Sequence, residues 1–119
     1  MMKIMKAVDY MQKELKHAYS FLEYAIEAKT DSPELYEIYL KIAECEASNA
    51  ENIHTAIVRM IEKASLNRDS EPPKAMKDIW NWQHKGYVDD YAQFKTKLDS
   101  LKKLMETHII SKIKIKCER

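Results

Sequence analysis

The sequence KIMKAVDYMQKELKHAYSFLEYAIEAK, residues 3–29, decides the fold class. Its apolar residues recur at alternating spacings of four and three, at Ile4, Val8, Met11, Leu15, Ala18, Leu22 and Ala25. This spacing places them on one stripe of an α-helix, and such a stripe must be covered by a partner helix. The sequence therefore predicts a first helix over about residues 3–29 and at least one further helix that packs on it.

A second helix is predicted over about residues 33–64, directly after a short polar connection. Ser32 can cap its N-terminus, and Pro33 suits the first helical position because the N–H that proline lacks has no partner there. One charged residue interrupts the apolar stripe of this helix, which consists of Leu35, Tyr39, Ile42, Glu46, Ile53, Ile57, Met60 and Ala64.

A third helix is predicted over about residues 73–112, beginning at the second residue of the pair Pro72-Pro73. Its stripe contains mainly aromatic and large aliphatic residues, namely Met76, Trp80, Tyr87, Tyr91, Phe94, Leu98, Leu101 and Met105. An unbroken helix of this extent would be ~60 Å long, against ~50 Å for the second helix, so it is predicted to be the longest. It therefore either kinks, with Gly86 as the expected weak point, or projects beyond the other two helices.

The composition favours a single all-α domain over residues 1–119. The chain has one glycine and three prolines, which are too few turn residues for a β-sandwich or a β-barrel. A length of 119 residues suits one hydrophobic core and not two. Short connections make consecutive helices antiparallel, so the predicted architecture is an up-down-up bundle of three long helices.

Charge and cysteine content predict the compartment and exclude some partners. The 20 basic and 19 acidic residues nearly cancel, so binding to nucleic acid or to a membrane surface is not expected. No apolar run reaches the ~18 residues of a membrane span. Cys45 and Cys117 are too few for a disulfide scaffold and indicate a reducing compartment, so a cytoplasmic location is predicted. The basic C-terminal tail, residues 111–119, is expected to be solvated or packed on its own chain; strand addition to a partner and contact with an acidic surface are the alternatives.

Two carboxylates lie at predicted interior positions of neighbouring helices. Glu46 is close to the centre of the apolar stripe of the second helix, and Glu14 is at the edge of the buried face of the first helix. Charged side chains at such positions are usually paired or bound to a metal. On the third helix His84 flanks Tyr87, where it is interpreted as a core residue beside the aromatic stripe or as a further metal ligand.

The segments ELKHA, residues 14–18, and YLKIAECEASNAENIH, residues 39–54, resemble the first two helices of ferritin-like, rubrerythrin-related proteins. The chain is more closely similar to short ferritin-like proteins of gut Firmicutes and their phages. Those proteins continue with two prolines and an aromatic helix, which correspond here to Pro72-Pro73, Trp80, His84 and Tyr87. The resemblance covers about residues 5–105. It implies a ferritin-like bundle encoded by a phage or another mobile element.

The resemblance also implies where a metal site would be. In that family a glutamate and a Glu-x-x-His pair from each half of a bundle bind iron or manganese. Carried over by position, Glu14 matches the first glutamate and Glu46 matches the glutamate of the pair, but Asn49 stands where the histidine should be. With only these two ligands, and His84 as a possible third, the implied site is degenerate within one chain.

Two literal Glu-x-x-His strings are not expected to bind metal. Glu51 to His54 places Glu51 on the water-facing side of the second helix, and Glu14 to His17 turns His17 outward. Both strings are therefore interpreted as solvated helix faces.

The preferred functional hypothesis is a non-catalytic interaction protein without a cofactor, which binds a second copy of itself or binds and inhibits a host protein. The alternative is a di-iron or di-manganese carboxylate protein, acting in oxidation or metal storage, whose site is completed across a homodimer. No nucleophile with its base and no phosphate-binding glycine loop is visible in the sequence.

Overall fold

The protein is all-α in the computed structural model, which describes residues 2–66 and 74–106. Helix α1 is Met2–Ala28, helix α2 is Pro33–Leu66 and helix α3 is Lys74–Glu106. These two described ranges contain no strand. The predicted all-α class with three helices is confirmed, while the proline pair at 72–73 and the basic tail at 111–119 lie outside the described residues.

The connection between α1 and α2 is closed by the cap that the sequence predicts. The backbone N–H of Leu35 donates to Oγ of Ser32 at 3.3 Å, and α2 begins at Pro33. On the other side, the Ser32 N–H donates to the carbonyl of Ala28 at 2.9 Å. The cap satisfies an N–H group that the first turn of a helix would otherwise leave without a partner.

The core contains every residue of the stripe predicted for α1. The buried side chains that surround this stripe come from both other helices and are Tyr36, Leu40, Ala43, Ala47, Ala50, Ile57, Tyr87, Phe94 and Leu98. The α1 and α2 backbones are packed far more closely against each other than either is against α3. Alanines on α2 allow this close approach because they add little bulk between the two helix axes.

The stripe predicted for α2 is wrong at Leu35 and Met60. Leu35 is 43% exposed and Met60 is 37% exposed, whereas Tyr36 is only 4% exposed. The reason is that α2 is covered by α1 on one side and by α3 on another. Its buried face is therefore wider than a single stripe and is centred on small residues that contribute little to a hydrophobic pattern.

Helix α3 is attached mainly through large side chains. The rings of Tyr19 and Phe94 meet edge to face with centroids 5.4 Å apart. The Tyr36 hydroxyl donates to the carbonyl of Leu101 at 3.3 Å. Nζ of Lys102 donates to Oε1 of Glu44 at 2.6 Å. These contacts lie towards the C-terminal half of α3 and fix that half against α1 and the beginning of α2.

The prediction that the third helix is the longest is wrong for the described residues, because α3 has 33 residues and α2 has 34. The predicted length of the third helix assumed that it continues to residue 112. Residues 107–112 lie outside the described part. Among the α3 side chains that the structure describes, the last buried one is Leu98, and it is followed by the half-buried Leu101. The helix is continuous through Gly86.

Two findings bear on the predicted compartment. Among residues 2–66 and 74–106, no helix is long and apolar enough to cross a membrane. Cys45 is disulfide-bonded, so the expectation of two reduced thiols is wrong at this residue. Its partner lies outside the described residues. The cysteines therefore no longer support a reducing compartment.

Candidate functional site

Two buried glutamates and one histidine converge between α1 and α2. Glu14 and Glu46 are each 5% exposed, and His17 lies at the surface beside them. One carboxylate oxygen of each glutamate and one ring nitrogen of His17 all lie within 4.8 Å of one another. The sequence predicted Glu14 and Glu46 as a pair of interior carboxylates, and the structure brings them together.

The local sequence explains why these side chains meet. Glu14 and His17 are three residues apart, so they lie one above the other on the same face of α1. Glu46 is followed by Ala47 and, one turn on, by Ala50, which are 3% and 0% exposed. These small residues let α1 approach α2 closely enough for carboxylates from the two helices to share one small volume.

His17 is the candidate ligand that sequence reasoning set aside. Its side chain is exposed, as expected, but its ring still reaches the two glutamates. Long side chains on a helix lean towards the N-terminus, so the His17 ring lies back over Glu14. The sequence signal for His17 is the Glu14-x-x-His17 string. The angular position of His17 around the helix axis, taken alone, assigns this string to a solvated face.

His84 does not join this group and lies in a separate aromatic cluster. Its ring stacks on His54 with centroids 4.9 Å apart and an interplanar angle of 10°, and on Trp80 at 5.0 Å and 25°. Partial burial, together with the nearby His54 ring, lowers the pKa of His84, while the Glu51 carboxylate opposes that shift. The proposed role of His84 as a further ligand of the Glu14–Glu46 pair has no geometric support.

Glu51, like His17, was predicted to face water, but its side chain contacts other residues. Its Oε2 accepts a 2.9 Å hydrogen bond from the Tyr87 hydroxyl, and its Oε1 lies 3.4 Å from Nδ1 of His54. The Glu51 side chain is 40% exposed, so its other side is hydrated. Burial, and secondly the bond to Glu51, raises the pKa of Tyr87 far above its usual range. The hydroxyl therefore stays protonated and keeps donating.

A third buried carboxylate, Glu37, was not predicted. It is 1% exposed, and its Oε2 makes no hydrogen bond among the described residues. Glu37 precedes Glu46 by nine positions, which puts the two on opposite sides of α2. Both can be buried because α2 has neighbours on more than one side. Glu37 is not part of the group formed by Glu14, His17 and Glu46.

The chemistry of the converging group suits a divalent metal. Two carboxylates and one imidazole form the mixed oxygen and nitrogen donor set that manganese, iron and zinc accept. Three protein ligands would leave coordination positions for water or another small ligand. Glu14 and Glu46 each have another contact within the chain, so a bound cation would have to exchange with those contacts or share the carboxylates with them.

Comparison of the chain with protein-family models, with curated proteins and with solved structures finds no match. The ferritin-like resemblance therefore stays a prediction, and the functional argument depends on the geometry of the described residues.

Proposed function

We propose that the protein binds a divalent transition metal, iron or manganese, through Glu14, His17 and Glu46. The observation that supports this proposal is the convergence of their ligand atoms within 4.8 Å of one another at a largely buried position. We further propose that the scaffold is an antiparallel ferritin-like bundle, in which Glu14 and Glu46 hold the positions of two family glutamates and His17 is an additional ligand.

The charges of the three residues favour this function. Two glutamates packed together in a protein interior repel each other and lose hydration, and a divalent cation offsets both effects. An imidazole that binds a metal does so in its neutral form, so His17 would add a ligand without adding charge. When bound, the metal would supply a Lewis acid with open coordination positions. Glu14 and Glu46 would hold the metal from the buried side, and His17 would bind it from the side that faces solvent.

The test is a metal count per chain after purification from cells grown with iron or with manganese. We expect the wild-type protein to retain one metal ion per chain, and Glu46→Gln and His17→Ala to lose it. Glu23→Gln is a matched control, because Glu23 is an exposed glutamate on α1 and should retain metal. Wild-type protein that binds no metal above the level of the variants would rule the proposal out.

We propose as a second candidate a non-catalytic interaction protein, encoded by a phage or mobile element, that binds a host protein or a second copy of itself. Large apolar side chains at the surface favour it. Trp82 is 78% exposed and Tyr10 is 62% exposed, and apolar residues this exposed occur at protein interfaces. Affinity capture with wild-type protein and with Trp82→Ser tests this candidate. Loss of a binding partner in the variant supports it, and identical capture by both contradicts it.

A cytoplasmic location belongs to the same proposal. The disulfide bond of Cys45 argues against this location, because disulfides are rare in a reducing compartment. Alkylation of Cys45 and Cys117 without reductant, in denatured protein taken directly from growing cells, would support it. Resistance to alkylation until a reductant is added would place the protein in an oxidising compartment.

A further inference from the structure

A groove of about 800 Å³ lies between α1 and α3. Its apolar part is formed by Leu15, Tyr19, Trp82 and Tyr87, and charged residues from both helices line its sides. None of the three candidate metal ligands lines this groove. It is therefore a surface separate from the site described above.

We infer that this groove binds the same groove of a second copy of the chain, with the two α3 helices crossing antiparallel near Gly86 and Tyr87. Three independent features of the groove support this occupant. They are the only glycine of the chain, the order of the charged residues and the exposure of Trp82.

Gly86 is the only glycine in the sequence, and it lies in the interior of α3. Glycine destabilises a helix interior relative to alanine, so its presence needs a reason. A Cβ atom at this position would meet no neighbouring atom within 4 Å, which means that no contact among the described residues requires the missing side chain. A glycine on a helix surface allows a second backbone to approach closely, and the inferred partner helix supplies that backbone.

The charges around Gly86 are arranged so that the surface complements itself. Lys85 precedes Tyr87 by two residues and Asp89 follows it by two, and both line the groove. Lys85 and Asp89 share the outer face of α3, whereas the Tyr87 side chain is buried in its own chain. When two α3 helices cross antiparallel through this outer face at the level of Tyr87, each Lys85 faces the partner's Asp89, and this pairing occurs twice. A two-fold interface has this property, because each residue pair is repeated by the symmetry.

These charged residues are available for such pairing. Within residues 2–66 and 74–106, neither Lys85 nor Asp89 takes part in an ion pair. Lys16 on α1 and Asp90 on α3 also line the groove and add one charge of each sign. Ion pairs at the edge of an interface determine orientation and partner choice more than affinity, so they select the antiparallel arrangement.

Trp82 supplies the apolar contact. It is 78% exposed and is the most exposed large apolar residue among those described. It lies five residues before Tyr87, so in the antiparallel arrangement it faces the partner's Ala92. Ala92 is small and exposed, and it leaves room for the indole to cover the partner helix. Tryptophan is enriched among the residues that dominate interface energies.

This inference deepens the second proposed function, because it identifies the partner as a second copy of the chain and rests on the interaction role proposed there. The metal-binding proposal does not depend on it. The two can fail separately, since metal is counted per chain and self-association is measured as molar mass.

The test uses two single charge reversals, Lys85→Asp and Asp89→Lys, followed by light scattering over the micromolar range. We expect wild-type protein to be a dimer and each variant alone to be a monomer, because two like charges then face each other twice. An equimolar mixture of the two variants should form a heterodimer. In that heterodimer the introduced aspartate faces the introduced lysine, and the unchanged Asp89 of one chain faces the unchanged Lys85 of the other. Circular dichroism of each variant shows that the helices remain intact.

Lys6→Asp is the matched control, because Lys6 is an exposed lysine of α1 that does not line the groove; it should remain dimeric. A monomeric wild-type protein overturns the inference, and so does a dimeric Lys85→Asp variant or a mixture that stays monomeric. If the wild-type protein is monomeric but captures a host protein that the Trp82→Ser variant does not capture, self-association is wrong and the interaction role stands. If the wild-type protein is monomeric and Trp82→Ser captures the same proteins as the wild type, both self-association and the interaction role are wrong.

Discussion

Tyr87 on α3 donates a 2.9 Å hydrogen bond to the Glu51 carboxylate on α2. Tyr87 is 4% exposed, so its hydroxyl cannot obtain a comparable partner from water. Glu51 in turn contacts His54, which stacks on the α3 residues Trp80 and His84. This chain of contacts connects the N-terminal half of α3 to α2, where the two backbones do not pack closely.

Replacing Tyr87 by Phe should lower the free energy of unfolding by roughly 1–2 kcal/mol, since it removes one hydrogen bond to a charged, part-exposed acceptor. Urea unfolding followed by circular dichroism measures the loss. Tyr10→Phe is the control, because Tyr10 is 62% exposed and its hydroxyl is hydrated. Equal stability of Tyr87→Phe and Tyr10→Phe would show that the bond to Glu51 contributes nothing.

His84 should make the fold sensitive to acid. Its pKa is lowered in the folded state, chiefly by burial and secondly by His54, so below the ordinary value of ~6.5 the unfolded chain binds more protons. Stability is therefore fully present above that pH and is lost as pH falls through the lower folded-state pKa. Melting temperatures between pH 8 and pH 5 should fall less in His84→Phe, which keeps a ring in the stack. Parallel pH profiles of the wild type and His84→Phe would contradict this role.

Replacing Glu46 by Leu separates the two proposed functions. If Glu46 is a metal ligand, the variant loses the metal and its stabilisation, ~2.7 kcal/mol where free metal is a hundredfold above its dissociation constant. We expect a lower melting temperature that matches the effect of a chelator on wild-type protein. Glu23→Leu should respond to chelator as the wild type does. If Glu46→Leu melts at the same temperature as the wild type, and chelator changes neither melting temperature, the result would favour an interaction protein that binds no metal.

Enlarging Ala50 should separate α1 from α2. Ala50 is fully buried, at 0% exposure, in the core that also contains the α1 stripe, and a leucine there forces its neighbours apart at a cost of about 1–3 kcal/mol. Thermal unfolding of Ala50→Leu should show this loss. Ala56→Leu, at an exposed position of α2, should stay within about 0.5 kcal/mol of wild type. A fully stable Ala50→Leu protein would mean that the α1–α2 contact is looser than described.

Replacing Gly86 by Ala should have opposite effects on folding and on assembly. The new Cβ meets nothing in its own chain, so the monomer should gain up to about 1 kcal/mol from the better helix propensity of alanine. The same methyl group should weaken the dimer, because it keeps the two α3 backbones apart. Light scattering and urea unfolding below the dimer dissociation constant measure the two effects. A variant with unchanged self-association would move the helix crossing away from Gly86.

The sequence by itself determined the fold class, the stripe of α1 and the cap at Ser32. These depend on local properties, namely the 3.6-residue period and the hydrogen bonds of the first helical turn. For the same reason it identified Glu14 and Glu46 as interior carboxylates, since an angular position on a helix can be calculated without a partner helix.

Only the tertiary structure decided which of these positions meet. The burial of Glu37 and the exposure of Leu35 follow from α2 having two neighbours, and no period within α2 specifies where they lie. Likewise, His17 joins Glu14 and Glu46 while His84 stacks on His54, because these contacts depend on the reach of each side chain and on the distance between helix axes. Backbone angles determine the face on which a residue lies, and the packing of the neighbouring helix determines what that face contacts.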